Sequence, residues 1–235
     1  MRNWFTYDGK SSKDFGVYIS GLNTFGAAER DQESISVAGR NGDLTIDNGR
    51  FRNVVVSYPA FIYRDFESNV AAFRNYLLSR TSYKRLEDTY HPGEFRLAKF
   101  TGSFDADVVN TLVAGEFNIT FDCYPQRFLK RGEKPYTFNS AGNIRNDFEQ
   151  TALPLVRVYG DGAVTINGIT ITINGSDTYT DIDCDLQEAY KDTLNVSKNN
   201  TITLNDGEFF NLSSGDNAVS FTASQIIIIP RWWIL

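Results

Sequence analysis

The chemistry open to this chain is limited by its single histidine, His91, which stands directly before Pro92-Gly93. Any Ser-His-Asp or Cys-His mechanism would have to use this residue as its base. Its place in a Pro-Gly turn favours a turn-capping or surface role over a catalytic one. Cys123 and Cys184 are far apart, and neither has a second Cys or a His nearby. Their spacing predicts two reduced, buried thiols and neither a zinc site nor a redox pair.

Acidic residues offer the next candidate chemistry. The segment Asp181-Ile182-Asp183-Cys184-Asp185 matches the first three ligand positions of a calcium loop. Leu186 stands where that loop needs glycine, and Asp192 stands where a bidentate Glu belongs. The pattern therefore favours strand residues alternating with acidic turn residues. Many carboxylate pairs of the glycosidase kind can be drawn among the acidic residues, but nothing in the sequence selects one. We predict no enzyme, no metal site and no cofactor.

Tryptophans could supply a stacking surface for a sugar, and the chain has three, Trp4, Trp232 and Trp233. The last two follow the run Ile226-Ile227-Ile228-Ile229-Pro230. That run is too short for a membrane span, which needs about 20 apolar residues. Its β-branched side chains favour a strand covered on both faces and ended by the proline. Core packing is the favoured interpretation, and the predicted C-terminal anchor consists of Ile226, Ile228, Trp232 and Trp233.

Composition describes a folded protein rich in β structure. The 235 residues are 41% hydrophobic and 22% charged, with 18 Phe and 12 Tyr. This length allows one large β domain or two ordinary ones. The net charge of -6 argues against a nucleic-acid partner, because phosphate binding needs clustered Lys and Arg. The first residues lack the apolar core of a signal peptide, and no membrane insertion is expected.

The first third of the chain has the pattern of short strands separated by turns. Asn41-Gly42 and Asn48-Gly49 lie between them, and Asn-Gly tolerates the positive φ that tight hairpins require. The region is therefore predicted to be antiparallel. We expect its strands at 15–19, 33–37, 43–46 and 54–58.

One helix is predicted over residues 66 to about 80. Its apolar residues recur at intervals of four, three and four, which is a helical period. Asp65 is the expected N-cap. The helix is followed by the His91-Pro92-Gly93 turn and by strands at 95–103 and 114–124. The apolar positions that define the helix are Phe66, Val70, Phe73 and Leu77.

A charged, turn-rich stretch at 126–150 marks the predicted boundary near residue 133, which gives domains 1–133 and 134–235. Beyond it, Asn167-Gly168 predicts a two-residue turn that pairs Ile166 with Ile169 and Val164 with Ile171. The predicted fold is mainly β. An α+β N-terminal domain, an antiparallel β-sandwich with one helix, precedes a C-terminal β-sandwich.

Several motifs occur together in one order along the chain. They are VAGRNGDLTIDNGRF at 37–51, LEDTYHP at 86–92, FDCYPQRF at 121–128 and the closing Pro230-Arg231-Trp232-Trp233. In that order they resemble the distal tail protein (Dit) family, the hub subunits of the long non-contractile tails of siphovirus phages and prophages. The resemblance extends from about Val17 to Leu235.

The resemblance implies a structural virion protein at the tail tip, made in the bacterial cytoplasm. Members of the family have an N-terminal domain that assembles as a homo-hexameric ring continuing the tail tube, and a C-terminal sandwich similar to galectins and carbohydrate modules. The implied partners are the tail tube protein on one side and the tail-tip hub or a receptor-binding protein on the other. A host saccharide is a further candidate partner. This chain lacks the long arm and inserted carbohydrate module of larger relatives, which argues against direct sugar binding.

The sequence also points to a ring contact. Closed rings need head-to-tail interfaces, which β-rich subunits can build from exposed strand edges. We predict such a contact at residues 40–52, where Arg40, Arg50 and Arg52 could pair with carboxylates of a neighbour. The alternative is that these arginines bind carboxylates of their own domain, such as Asp43 or Asp47.

Two rival functions stand beside the tail hub. The first is a carbohydrate-binding module that attaches to host cell-wall saccharide through the C-terminal sandwich. The second is a wall hydrolase, which is the weakest because the sequence has no convincing acid-base pair or zinc ligand set.

Overall fold

A computed structural model describes residues 2–21, 26–102, 106–109 and 114–235, with the backbone alone at 106–109. The chain forms two compact units. The first extends to Arg127 and includes Leu235, and the second comprises Phe128–Ile234. The boundary predicted from the sequence lies slightly later, near residue 133. Both units are built mainly from antiparallel strands, so the prediction of a mainly β fold is confirmed.

Among the described residues, the first unit contains ten strands and the only α-helix. A 3-10 turn at Ser12–Phe15 separates its second and third strands. The strands are β1 (Phe5–Tyr7), β2 (Lys10–Ser11), β3 (Val17–Ile19), β4 (Arg30–Ile35), β5 (Leu44–Phe51), β6 (Val54–Ile62), β7 (Lys84–Asp88), β8 (Glu94–Phe100), β9 (Ala106–Val109) and β10 (Ala114–Cys123), and the helix is α1 (Phe66–Leu78).

The main sheet of this unit has the order β2-β1-β7-β8-β10-β6-β3, with β9 paired to β10. The sheet curls back on itself, because Asn3, just before β1, forms an antiparallel bridge with Ile19 of β3. Its concave side holds a core of aromatic and aliphatic residues. Phe5, for example, stacks on Tyr58 with ring centroids 5.5 Å apart and meets Phe121 edge-on. Strands β4 and β5 form a separate two-stranded sheet.

Helix α1 covers this core, as its period predicts. Phe66, Phe73 and Leu77 are buried, and Phe73 packs against Phe5. Asp65 holds the N-cap position, but its side chain makes no capping hydrogen bond, because its backbone is left-handed with φ 48°. The helix ends at Leu78, where the Ser79 N–H still donates to a helical carbonyl.

One predicted turn is wrong. Asn48-Gly49 lies inside β5 and does not separate two strands. The pairing of β4 with β5 shifts register between Arg30 and Gln32, and Gly49 opposite this shift has φ 70°. The glycine therefore forms part of a β-bulge. A bulge and a hairpin turn both use the positive φ that glycine tolerates, so the sequence alone does not distinguish them.

The second unit consists of strands and 3-10 turns at Lys130–Glu133 and Asn199–Thr201. Its first strand begins at Arg127, the last residue before the unit. The strands are β11 (Arg127–Leu129), β12 (Tyr136–Phe138), β13 (Gly142–Asn146), β14 (Leu155–Tyr159), β15 (Gly162–Ile166), β16 (Ile169–Ile173), β17 (Tyr179–Asp183), β18 (Glu188–Lys191), β19 (Thr193–Ser197), β20 (Ile202–Leu204), β21 (Gly215–Phe221), β22 (Gln225–Ile229) and β23 (Trp233–Ile234).

Two antiparallel sheets pack in this unit as a β-sandwich. One has the order β12-β22-β14-β17-β18-β19 and the other β13-β21-β15-β16-β20. Their shared core contains Val156 and Ile228 from the first sheet and Val164 and Ile171 from the second, all buried. The predicted hairpin is confirmed, because Ile166 pairs with Ile169 and Val164 pairs with Ile171.

Candidate functional site

Among the elements of the first unit whose side chains the structure describes, the β4–β5 hairpin is the most exposed. Along its strands only Asp31 is buried and only Phe51 is partly buried. A two-stranded sheet has little independent stability in water, since it cannot bury both of its faces. Contact with a partner surface would stabilise such a hairpin, which makes it a candidate assembly interface.

The two faces of the hairpin differ in chemistry. Cross-strand pairing joins Ile35 with Leu44 and Glu33 with Ile46, which places these four side chains on one face. Ile35, Leu44 and Ile46 are 43%, 41% and 47% exposed. The other face is polar. We call the face that carries Glu33, Ile35, Leu44 and Ile46 the apolar face. Glu33 is the one charged residue among these four.

Ion pairs hold the base of the hairpin together. Arg50 Nε donates to Asp31 Oδ2 over 2.7 Å, and Arg52 Nε donates to Asp31 Oδ1 over 3.1 Å. The hydrogen bond from Arg50, followed by that from Arg52, lowers the pKa of Asp31. On the polar face, the Gly49 N–H and the Gln32 amide donate to Asp47 and lower its pKa.

The three arginines predicted at the ring contact therefore differ in whether they form an ion pair within their own unit. Arg50 and Arg52 bind a carboxylate of their own unit, but it is Asp31 and not Asp43 or Asp47. Arg40 lies exposed in the loop between β4 and β5, and its side chain has no ion pair among the described residues. Asp31 is not among the residues that the sequence pattern predicts for this contact. No local signal pairs Asp31 with Arg50, because the loop between the strands spans residues 36–43 and the register of β4 on β5 shifts beside Asp31.

A cavity of about 90 Å³ opens in the first unit where β6 begins. Its wall is formed by residues 54–59 of β6 and by the turn between β7 and β8. The Tyr58 hydroxyl donates to Asp88 Oδ2 over 2.8 Å, and the His91 N–H donates to Asp88 Oδ1 over 2.8 Å. His91 therefore belongs to a capped turn, as its sequence context predicts. Burial, then the nearby Asp88 carboxylate, raises the pKa of Tyr58.

Arg96 lines the same cavity, which we call the Arg96 pocket. Its Nη1 atom is buried and has no hydrogen-bond acceptor among the described residues. Burial lowers the pKa of this guanidinium. Glu94, the nearby carboxylate, forms its ion pair with Arg127. The Arg96 pocket thus combines a partly buried cation with acidic neighbours that already have partners within the unit.

The acidic run of the second unit forms ion pairs within its own sandwich. Arg157 donates two hydrogen bonds to Asp181, at 2.6 and 2.8 Å. Arg231 donates two to Asp183, each 2.7 Å long. Within the part of the chain that the structure describes, no group of three His, Cys, Asp or Glu side chains is placed to hold a metal ion. The run is therefore explained by structural ion pairs.

The C-terminal anchor residues lie in the second unit. Ile226 and Ile228 are fully buried in β22, which lies between β12 and β14 and ends before Pro230. Trp232 is buried in the sandwich core, and its carbonyl accepts the Leu129 N–H. The partly buried Trp233 donates its Nε1–H to the Thr151 carbonyl over 3.0 Å. Because Trp232 is 4% exposed, it offers no face to a sugar.

Both cysteines are buried free thiols, as predicted. Burial raises the pKa of the Cys123 thiol to about 12 and raises that of Cys184 further. Neither thiol is therefore activated as a nucleophile. Among the described residues, no helix is both long and apolar enough to cross a membrane.

Comparison with known proteins gives matches at the level of fold. No protein-family profile matches the chain, and no curated protein matches it. A crystal structure of the SPP1 Dit protein (gp 19.1), described as a paradigm of the hub adsorption apparatus in phages infecting Gram-positive bacteria, superposes with a TM-score of 0.73. The alignment covers 96% of this chain and 97% of that chain at 14% identity.

Two structures of the phage p2 baseplate in its activated conformation, one with calcium and one with strontium, also match. Their TM-scores are 0.53 and 0.52, each at 9% identity, and each alignment covers 97% of both chains. The three alignments therefore extend over nearly the whole chain and include both the curled first unit and the sandwich of the second. The chain has the fold of the SPP1 phage distal tail hub protein.

Proposed function

We propose that this chain is the distal tail hub of a phage or prophage, a structural virion protein that forms a hexameric ring. The ring joins the tail tube protein to the tail-tip apparatus, including a hub protein and a receptor-binding protein. The observation that carries the proposal is the match to the SPP1 Dit hub over 96% of the chain. The bonded carboxylates and unactivated thiols described above favour an assembly role over catalysis.

Ring formation can be measured directly on the full chain. Native mass spectrometry and negative-stain electron microscopy across a wide concentration range should detect six-membered rings. Binding to tail tube protein should be detected by co-sedimentation of the two purified proteins. A chain that stays monomeric at every concentration and shows no affinity for tail tube protein would contradict the proposal.

We also propose that residues 1–133 build the ring and that the β4–β5 hairpin contributes to its interface. The exposed Ile35 and Ile46 support this, since burying a β-branched side chain contributes roughly 1.5–3 kcal/mol. Arg40, Arg50 and Arg52 remain proposed contacts, with Arg40 the one whose side chain forms no ion pair within the described chain.

A matched pair of double variants tests the role of the hairpin. Ile35→Ser with Ile46→Ser should weaken ring formation, because these substitutions remove the apolar side chains that a neighbour would cover. Leu194→Ser with Val196→Ser is the control, since these residues are also exposed but lie on β19 of the second unit. Equal assembly of both variants would exclude the apolar face from the ring interface.

A further inference from the structure

The dipeptide Asn-Gly occurs in this chain at Asn41-Gly42, Asn48-Gly49, Asn167-Gly168 and Asn174-Gly175. Such a pair can react with itself, because the main-chain nitrogen of the glycine can attack the side-chain carbonyl carbon of the asparagine. Glycine has no Cβ, so few contacts oppose the approach of its nitrogen. The reaction still requires an asparagine side chain that can turn towards this nitrogen and a glycine N–H group that is not held elsewhere.

In two of these pairs a carboxylate holds the glycine N–H group. The Gly49 N–H donates to Asp47 Oδ1 over 2.8 Å, within strand β5. The Gly175 N–H donates to Asp161, which also accepts the Ser176 N–H over 2.7 Å. Hydrogen bonds to a charged group are stronger than those between neutral groups, so the attacking nitrogen of both pairs is held in place.

A third pair holds its asparagine side chain instead. Asn167 lies in the two-residue turn between β15 and β16. Its Nδ2 atom donates to Asn211 Oδ1 over 3.1 Å and to Ser213 Oγ over 3.0 Å, and its main-chain N–H donates to the Ala218 carbonyl. Turning this side chain towards Gly168 would break both of its hydrogen bonds, so this pair is also protected.

The pair Asn41-Gly42 has none of these restraints. It lies in the loop at residues 36–43 between β4 and β5, and every residue of that loop is exposed. Among the described residues, the Asn41 side chain has no hydrogen-bond partner and the Gly42 N–H has no acceptor. A loop without buried side chains moves at little cost in free energy, so Asn41 can reach the geometry for attack.

We propose that Asn41 deamidates spontaneously in the folded chain, whereas hydrogen bonds protect the other three Asn-Gly pairs. The Gly42 nitrogen forms a bond to Asn41 Cγ, the Cγ–Nδ2 bond breaks, and the amide leaves as ammonia with the proton of the Gly42 N–H. Water then opens the resulting succinimide ring at one of its two carbonyls, which leaves aspartate or isoaspartate at position 41. Either product adds a negative charge between Arg40 and Asp43, and isoaspartate also adds a methylene to the main chain.

Peptide mapping by mass spectrometry follows all four pairs in one sample. The full chain is incubated at mildly alkaline pH, diluted so that no assembly covers the loop. Asn41 should convert about ten-fold faster or more than each other asparagine of these pairs, because the others must first give up at least one hydrogen bond. In urea at the same pH the four rates should converge, since unfolding removes the hydrogen bonds that distinguish them.

Two results would overturn the inference. One is a native rate at Asn48, Asn167 or Asn174 that equals the native rate at Asn41. The other is a native rate at Asn41 about ten-fold or more below its own rate in urea, which would show that the fold protects this loop as well. The test needs only the folded chain, so its outcome is independent of the proposed hub function.

A variant tests the reason for the protection. Asp47→Ala should accelerate conversion of Asn48, because it removes the carboxylate that holds the Gly49 N–H. Asp43→Ala is the matched control, since it removes an exposed carboxylate of the same hairpin and should leave the Asn48 rate unchanged. An unchanged Asn48 rate in an Asp47→Ala chain that keeps its melting temperature would refute this protection.

The second unit allows the same test independently of the hairpin. Asp161→Ala should accelerate conversion of Asn174, because it frees the Gly175 N–H. Asp161 is exposed, so the change should leave the fold intact. This variant decides the question if Asp47→Ala lowers the melting temperature, and an unchanged Asn174 rate would then refute protection by a carboxylate.

Discussion

The ion pair between Arg231 and Asp183 should be a main support of the second unit. Asp183 is 3% exposed and Arg231 is 28% exposed, and the two share a pair of 2.7 Å hydrogen bonds. The Asp183 carboxylate also accepts the N–H groups of Asp185 and Leu186. Asp183→Asn would leave the guanidinium half-buried without its counter-charge.

Removing one partner of a buried pair costs about 3–5 kcal/mol. We expect about 3 kcal/mol for Asp183→Asn, the lower end of that range, because Arg231 keeps some contact with water and asparagine retains one acceptor oxygen. For a domain of this size, each kcal/mol lowers the melting temperature by roughly 4–8 °C, so the expected fall is roughly 12–24 °C.

Urea denaturation followed by tryptophan fluorescence measures this change in the full chain, because Trp232 and Trp233 both lie in the second unit. Asp216→Asn is the matched control. Asp216 and Arg145 are 58% and 64% exposed, and such surface pairs contribute roughly 0–1 kcal/mol. A loss below about 1 kcal/mol for Asp183→Asn, indistinguishable from the control, would refute the reasoning.

The same pair predicts a pH dependence with a defined sign. Burial raises the pKa of Asp183, but the hydrogen bonds and charge of Arg231 outweigh burial and lower it overall. A carboxyl with a lowered folded pKa stabilises the fold above its unfolded pKa of about 3.9, and this contribution is lost as the pH falls through the folded value. The stability difference between the unmodified chain and Asp183→Asn should therefore be constant near neutral pH and shrink below about pH 4.

Three further predictions can be checked on the full chain. Trp232→Ala should cost about 3–5 kcal/mol of unfolding free energy, because it empties a core position, and the partly exposed Trp233→Ala should cost less; equal losses would contradict this. Cys123 should react with a thiol reagent at pH 8 only on unfolding, because its pKa is raised to about 12 by burial, so rapid labelling of the native chain would be inconsistent. Gly132→Ala should lower the melting temperature, since its Cβ would lie 2.3 Å from the Trp232 nitrogen, whereas Gly93→Ala has open space and should not.

Local periodicity was sufficient for several elements. The helix that begins at Phe66 follows from a 3.6-residue period of apolar residues, which gives the helix one apolar face to pack on the sheet. The hairpin around Asn167-Gly168 follows from a two-residue turn that permits only one register. In both, residues close in sequence make the decisive contacts. Asn48-Gly49 shows the limit, because its glycine serves a bulge that depends on how β4 pairs with β5.

Residue patterning alone predicts that this chain is mainly β, that one helix packs on its first unit, and that Ile226, Ile228 and Trp232 are buried. Which charges meet depends on the folded chain. Asp31 binds Arg50 and Arg52, Asp183 binds Arg231, and Arg96 is left without an acceptor among the described residues. Apolar burial follows local periodicity, whereas a charge pair depends on a few ångströms of separation between residues distant in sequence, and only the folded chain sets that separation.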